Sequence, residues 1–319
     1  MSDLTPLIEP SLAASAGGMT SILEPALEST AGSAPHPLRE FWYFFSQNRG
    51  AVIGLTLIGL FTAIAALAPW LAPHDPTQVF PDALRLAPFW SVGHHPGYWL
   101  GTDDVGRDLL SRLLYGARIS MGIGMMVVFI SATLGTFLGL IAGYAGGKTD
   151  TFIMRVMDVQ MALPSILLAI VVVSVLGPNL ANTVIAVSLV QLPSFVRLVR
   201  AACMAERNKQ YVIASRSFGA GHFRQMFINI LPNCMAPLIV QTTLGFSDGI
   251  LNAAALGFLG LGAQAPTPEW GTMLADARPF IESNPTLVTL PGLCILVVVL
   301  AFNLLGDGLR DAFDPRLRK

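Results

Sequence analysis

Charge is what this sequence lacks most. Asp, Glu, Lys and Arg together make up 12% of its 319 residues, against roughly 25% in ordinary soluble domains. Hydrophobic residues make up 53%, and the mean hydropathy is +0.61. Such a chain does not fit a water-soluble core and reads as an integral membrane protein. Its formal net charge of -1 leaves no global basic field for nucleic acid. Cysteine is also scarce. Cys203, Cys234 and Cys294 lie in or beside apolar stretches without metal-ligand spacing, so they imply no disulfide framework and read as small core residues. No Ser/His/Asp or Cys/His constellation can be assembled. His74, His94 and His95 share one segment, but they lack the spacing and further ligands of a metal site.

Residues 1–38 have no Lys or Arg and carry four acidic residues among Ser, Ala, Pro and Gly. They have neither the positive start nor the continuous apolar core of a signal peptide, so a disordered cytoplasmic tail is expected. The aromatic run REFWYFFSQNR follows. It suits a helix lying at headgroup level, and residues 39–50 are assigned to it.

A membrane helix needs about 20 apolar residues. Six runs qualify: 51–71, 119–145, 158–176, 180–200, 235–261 and 285–306. Gly177-Pro178-Asn179 divides a long uncharged stretch into two of them. The expected fold class is an all-α integral membrane protein with six transmembrane helices in residues 51–319. Basic residues set the orientation. With the N-terminus inside, only Arg85, Arg107, Arg112, Arg118 and Arg278 of the 19 Lys and Arg fall outside, and 14 fall inside. Both termini are therefore expected in the cytoplasm, with an external segment at about 73–118 and a cytoplasmic loop at about 201–234.

Several features invite closer reading. Gly135, Gly139, Gly143 and Gly147 form overlapping G-x-x-x-G units that allow close helix approach. Pro164 and Pro193 interrupt the third and fourth spans. The stretch AGYAGGKT, 142–149, imitates a P-loop, yet it ends a membrane span and no α/β domain surrounds it. It reads as a short turn, which leaves the chain without an ATP site of its own. Arg155 and Asp158 have the spacing of an anchoring ion pair. Asp248 lies mid-span, with Asn252 at i+4 and Gly245 at i−3 on the same face. A carboxylate there faces a polar pathway or serves as a buried hydrogen-bonding partner, unless the span boundary lies elsewhere.

One cytoplasmic stretch breaks the apolar monotony: YVIASRSFGAGHFRQMFINILPN, 211–233. Tyr211, Ala214, Ser215 and Phe218 fall on one helical face. After the Gly219-Ala220-Gly221 turn, Phe223, Met226, Phe227 and Ile230 repeat the spacing. Six basic residues and a single acid, Glu206, lie between Arg197 and Arg224. The pattern predicts a two-helix projection with an apolar ridge and a basic rim, shaped for a groove on a cytoplasmic partner. Arg216 belongs to that rim. Gly219 is expected at positive φ.

The spacing of Ala214, Gly219, Leu231 and Pro232 resembles the E-A-A-x3-G-x9-I-x-L-P signature of permease subunits in ATP-binding-cassette importers. Ile213, Ser215 and Asn229 depart from it. Three further segments, LGTDDVGRDLLSRLLYGARIS (100–120), ALGFLGLGAQAPTPEWGTML (255–274) and NLLGDGLRDAFDPRLRK (303–319), resemble C-type permeases of dipeptide and oligopeptide importers. The likeness covers about residues 39–319. It implies the type I importer permease fold in a bacterial inner membrane and a role in importing dipeptides or short peptides. It further implies a homologous second permease, two ATPase subunits that hold ATP and magnesium, and an external solute-binding protein. This chain itself would hold no cofactor and bind no nucleic acid; its other neighbour is membrane lipid. The projection would be the ATPase-coupling element, built from Tyr211, Ala214, Ser215, Arg216, Phe218, Gly219, Phe223, Leu231 and Pro232. Asp248 and Asn252 would line the pathway. The binding protein would meet Asp104, Arg107, Asp108, Arg112, Pro268 and Trp270, on a helix starting near Thr102 with Asp108 and Arg112 paired. The competing reading is a self-sufficient secondary transporter. It calls for inverted repeats and a coupling-ion site, and no internal repeat is visible.

Overall fold

The computed structural model describes residues 37–313. Residues 1–36 of the expected tail, and Arg316, Arg318 and Lys319 of the basic C-terminus, lie outside them. The described residues are helical, with two isolated β-bridges and no strand. The first helix, α1, is Pro37–Gln47. Its residues up to Phe44 belong to a separate compact unit from the rest of the chain.

Helix α2, Arg49–Leu71, is started by Asn48, whose side chain accepts from the Ala51 amide. Helix α3, Leu109–Ala145, runs 37 residues, about 55 Å at 1.5 Å per residue, so it projects well beyond a hydrocarbon core of about 30 Å. It starts at Asp108, whose carboxylate accepts from the Ser111 amide, and stops at Gly146 with φ +66°. The expected start near Thr102 is therefore corrected: the residues before Asp108 form turns, and the capping carboxylate decides where the helix begins.

Helices α4, Gly147–Met161, and α5, Ser165–Leu176, meet at 92° across a three-residue break. The single run expected at 158–176 is thus two pieces. Pro164 has no N–H to give and disfavours helical backbone at Leu163. Helix α6, Leu180–Glu206, is capped by Asn179, which accepts from Ala181 at 2.8 Å. It runs on through Pro193. Helix α7 is Gln210–Ser217, α8 is Met235–Phe258, α9 is the short Trp270–Ala277 and α10 is Thr286–Phe313. Among the described residues, five helical segments are long and apolar enough to cross a membrane, and the bent α4–α5 pair, counted as one span, makes a sixth.

The core centres on α3 and α6, with α8 and α10 closing around them. Glycine determines the α3–α6 contact. A Cβ on Gly139 would stand 2.7 Å from the Val196 carbonyl oxygen, and one on Gly143 would stand 2.8 Å from that of Arg200. Gly135 meets Phe195 in the same stripe. Gly147 does not join it. It opens α4 at φ +56° with open space around it, because the chain has already turned at Gly146. Buried polar groups add further bridges: Ser131 of α3 donates to the Ser188 carbonyl of α6 at 3.0 Å, and Gln191 of α6 to the Gly245 carbonyl of α8 at 2.8 Å. The expected Arg155–Asp158 pair is also corrected. Asp158 instead takes Arg197 of α6 at 2.8 Å.

Candidate functional site

The projection expected from residues 211–233 follows α6. Helix α7 ends in a reversal fixed by two hydrogen bonds, Gly219 N–H to Arg216 C=O at 3.0 Å and Ala220 N–H to Ser215 C=O at 3.2 Å. This is the Schellman arrangement, with its C′ residue in left-handed backbone. Gly219 has φ +84° and fills that position. The chain returns through a helical turn at His222–Arg224, a π-helical turn at Gln225–Ile230 and a 3-10 turn at Leu231–Cys234 into α8.

One face of the projection is buried and the other is bare. Val212, Gln225, Ile230 and Cys234 turn inward. Phe218 is 92% and Phe223 72% exposed at the tip, flanked by Tyr211, Ala214, Arg216 and Gly219, all exposed. The expected ridge is corrected beyond Phe223. Met226 and Phe227 are half-buried and Ile230 is fully buried, because the π-helical turn shifts the register that α-helical spacing assumes. Leu231 packs against the core and Pro232 lies at the membrane end, so neither belongs to the tip.

Polar bonds hold the projection to its base. Tyr211 donates its hydroxyl to Glu206 at 2.6 Å and accepts from Asn233 at 2.9 Å. Burial, helped by Glu206, pushes the Tyr211 phenol up to about 12. Arg207 donates to the Gly143 and Tyr144 carbonyls, satisfying acceptors left open at the C-terminus of α3. Sequence reasoning missed Arg207. Its signal was a cation just past one helix able to reach the carbonyl end of another, but nothing in the sequence says which end it meets.

Asp248 is exposed on the face of α8 turned away from this chain's core, and the Asn252 amide donates to the Asp248 backbone carbonyl at 2.8 Å. Gly245 does not share that face. It is buried against Phe195 and Gln191.

The residues expected to meet an external protein lie mostly inside. Arg107 bonds Asp103 at 2.5 Å and approaches Asp276 at 3.5 Å and Asp104 at 3.9 Å. Arg112 approaches Asp103 at 3.5 Å and Asp276 at 3.9 Å. The expected Asp108–Arg112 side-chain pair does not form, because the Asp108 carboxylate is taken by the Ser111 amide and hydroxyl. Trp270 is fully buried, its indole donating to the Leu113 carbonyl at 3.2 Å. Pro268 is buried as well. The cluster straps the segment between α2 and α3 to α9, and only Asp104 and Asp276 of the cluster reach solvent. Burial pushes the Asp276 carboxyl up against the opposing pull of Arg107 and Arg112. Glu269, which caps α9 through the Gly271 and Thr272 amides, is also raised by burial.

Residues 135–319 match the family model described as the binding-protein-dependent transport system inner membrane component. Residues 36–88 match that of the N-terminal transmembrane domain of oligopeptide transport permease C. The chain is 57% identical over 283 residues to a dipeptide transport system permease protein of Haemophilus influenzae, covering 89% of this chain and 96% of that one. It is 58% identical over 283 residues to its counterpart in Escherichia coli K12, covering 89% and 94%. A glutathione transport system permease protein of Pectobacterium atrosepticum is 44% identical over 282 residues, covering 88% and 92%. Among solved structures, a chain of the MetNI methionine ABC transporter in inward-facing conformations superposes with TM-score 0.54 at 17% identity, covering 65% of this chain and 98% of that chain. That likeness carries the fold.

Proposed function

This chain belongs to the family of binding-protein-dependent transport system inner membrane components, and from that premise we propose that it is one of two permease subunits of an ATP-driven importer of dipeptides or short peptides. The observation that carries the reading is the projection. Two bare phenylalanines stand on a glycine-fixed turn, clamped by Arg207 to a long membrane helix. An exposed aromatic tip on a rigid base fits the groove of a partner. That partner is an ATPase subunit, and two such subunits hold the ATP and magnesium. A homologous second permease faces Asp248 and Asn252 across the pathway, and an external solute-binding protein delivers the peptide. Both termini are cytoplasmic, and residues 39–50 lie at the membrane interface.

Energy enters through contact. A ligand shifts a conformational equilibrium only by binding one state better than the other. ATP favours closed ATPases, which draw the two projections together and bias the permease pair outward-open; hydrolysis and release reverse the bias. Co-expression with the sister permease and ATPases, followed by uptake into proteoliposomes, tests the reading. Peptide uptake that needs both ATP and the binding protein is the expected result. Uptake by this chain alone, driven by an ion gradient, would favour a secondary transporter.

A further inference from the structure

The segment between α2 and α3 contains a stretch that neither the ion-pair strap nor the coupling element uses. Residues 86–102 carry no Asp, Glu, Lys or Arg. Within it, Phe89 N–H donates to the Trp99 carbonyl at 2.9 Å, closing residues 89–99 into a finger. Its outer surface is aromatic and bare: Phe89 is 58%, Trp90 52%, Val92 103% and Trp99 64% exposed. Phe89 and Trp90 meet edge to face at 5.0 Å.

The base of the finger is fixed beside a membrane helix. Tyr98 is buried and stacks on His74 at 5.0 Å, with Phe80 against both rings. His74 follows Leu71, the last residue of α2, by three positions, and its amide donates to Ser111 in the first turn of α3. The finger is therefore rooted just past the end of α2, where that span leaves the bilayer, and is tied there to the projecting start of α3. Trp70, at that same end of α2, is 80% exposed. Five residues out and five back let the tip reach on the order of 10–15 Å, enough to cover an interfacial zone of about 5–8 Å. Neutral segments rich in Trp, Tyr and Phe suit that zone, where rings sit among carbonyl groups and charged side chains do not.

We propose that residues 86–101 form an aromatic finger that inserts into the lipid interface beside the end of α2 and anchors the segment above it. This rests on the chain spanning a membrane and not on which face is outside, so it stands or falls separately from peptide import.

The test places a single environment-sensitive fluorophore on the finger of the assembled complex in nanodiscs of phosphatidylethanolamine and phosphatidylglycerol. Val92→Cys is chosen because that side chain packs against nothing; Cys203 and Cys234 are buried, and unsubstituted protein supplies the labelling background. Gly59→Cys, with open space around it in α2, is the lipid control, and exposed Asp82→Cys is the water control. The expected result is blue-shifted emission at position 92, quenched by more than half by nitroxide lipids and untouched by aqueous iodide. Iodide quenching equal to that at position 82 would overturn the proposal. Iodide quenching that a solute-binding protein then relieves would also overturn it and would make the finger a protein-docking surface. Phe89→Asp/Trp90→Asp gives a second readout: in the doubly substituted complex the position-92 label should lose its blue shift and its nitroxide quenching, and retention of both would overturn the assignment of the anchoring to the aromatic rings.

Discussion

Asn229 donates its side-chain amide to the Ser215 hydroxyl at 2.8 Å, joining the outgoing and returning limbs of the projection. These are two of the three positions at which the projection departs from the importer signature. The departures are thus coupled: a hydroxyl in place of a methyl and an amide in place of a branched alkyl form one bond. The third, Ile213, is exposed and pairs with nothing polar through its side chain.

That coupling is measurable. Ser215→Ala should lower the stability of the purified complex by about 1 kcal/mol, since a part-buried amide loses one acceptor. Asn229→Ile should cost less in the Ser215→Ala background than in the native one, with a coupling of about 0.5–1.5 kcal/mol. Thermal unfolding of all four proteins in the cycle gives the answer; strictly additive effects would show that the bond carries no energy.

Gly219 at φ +84° makes a second prediction. A β-branched side chain at positive φ is an outlier and costs about 1–3 kcal/mol. Gly219→Val should insert and pair with its sister permease but retain the ATPases poorly, because 1.4 kcal/mol is about a tenfold loss in docking. Gly219→Asn should be milder, since asparagine tolerates left-handed backbone. Co-purification of the ATPases and substrate-stimulated hydrolysis test this, and wild-type values for the valine variant would remove the projection from the coupling role.

Asp248→Leu should reduce peptide uptake severalfold while the complex still assembles, because Asp248 is exposed on the face of α8 turned away from this subunit's core. Uptake is to be normalised to complex recovered from the membrane. Full uptake would take Asp248 out of the pathway.

Gly139→Leu should prevent folding. Its Cβ would meet the Val196 carbonyl oxygen at 2.7 Å and the Val199 Cβ at 2.8 Å, and overpacking a close helix contact costs about 1–3 kcal/mol or more. Gly122→Leu, in the same helix with open space around it, should be nearly silent. Yields of monodisperse complex separate the two.

What the sequence makes legible follows what each kind of pattern encodes. Apolar length reports membrane helices directly, so the runs at 51–71 and 180–200 both fall within observed helices. Chain reversal reports φ, so Gly219 reads correctly. Partner identity is another matter. Asp108 and Arg112 have the spacing of an ion pair, yet Asp108 caps a helix and Arg112 turns to Asp103 and Asp276. Local spacing gives the available partner, whereas tertiary packing selects the actual one. Trp270 shows the same limit from the other side. A tryptophan in an external loop reads as a contact surface, but a pocket against Gly116 draws it fully inside.

The glycine stripe between α3 and α6 has a mechanical corollary. With carbonyls of one helix seated against bare backbone of the other, neither can slide lengthwise without driving side chains into its neighbour. The two must tilt as one spar. Arg207 fastens the foot of that spar to the projection. Helix α6 alone is 27 residues, about 40 Å long, so rocking it by about 10° around one end sweeps the other by about 7 Å. A tilt imposed at the foot would thus be enlarged, by leverage alone, at the far end of the helix pair.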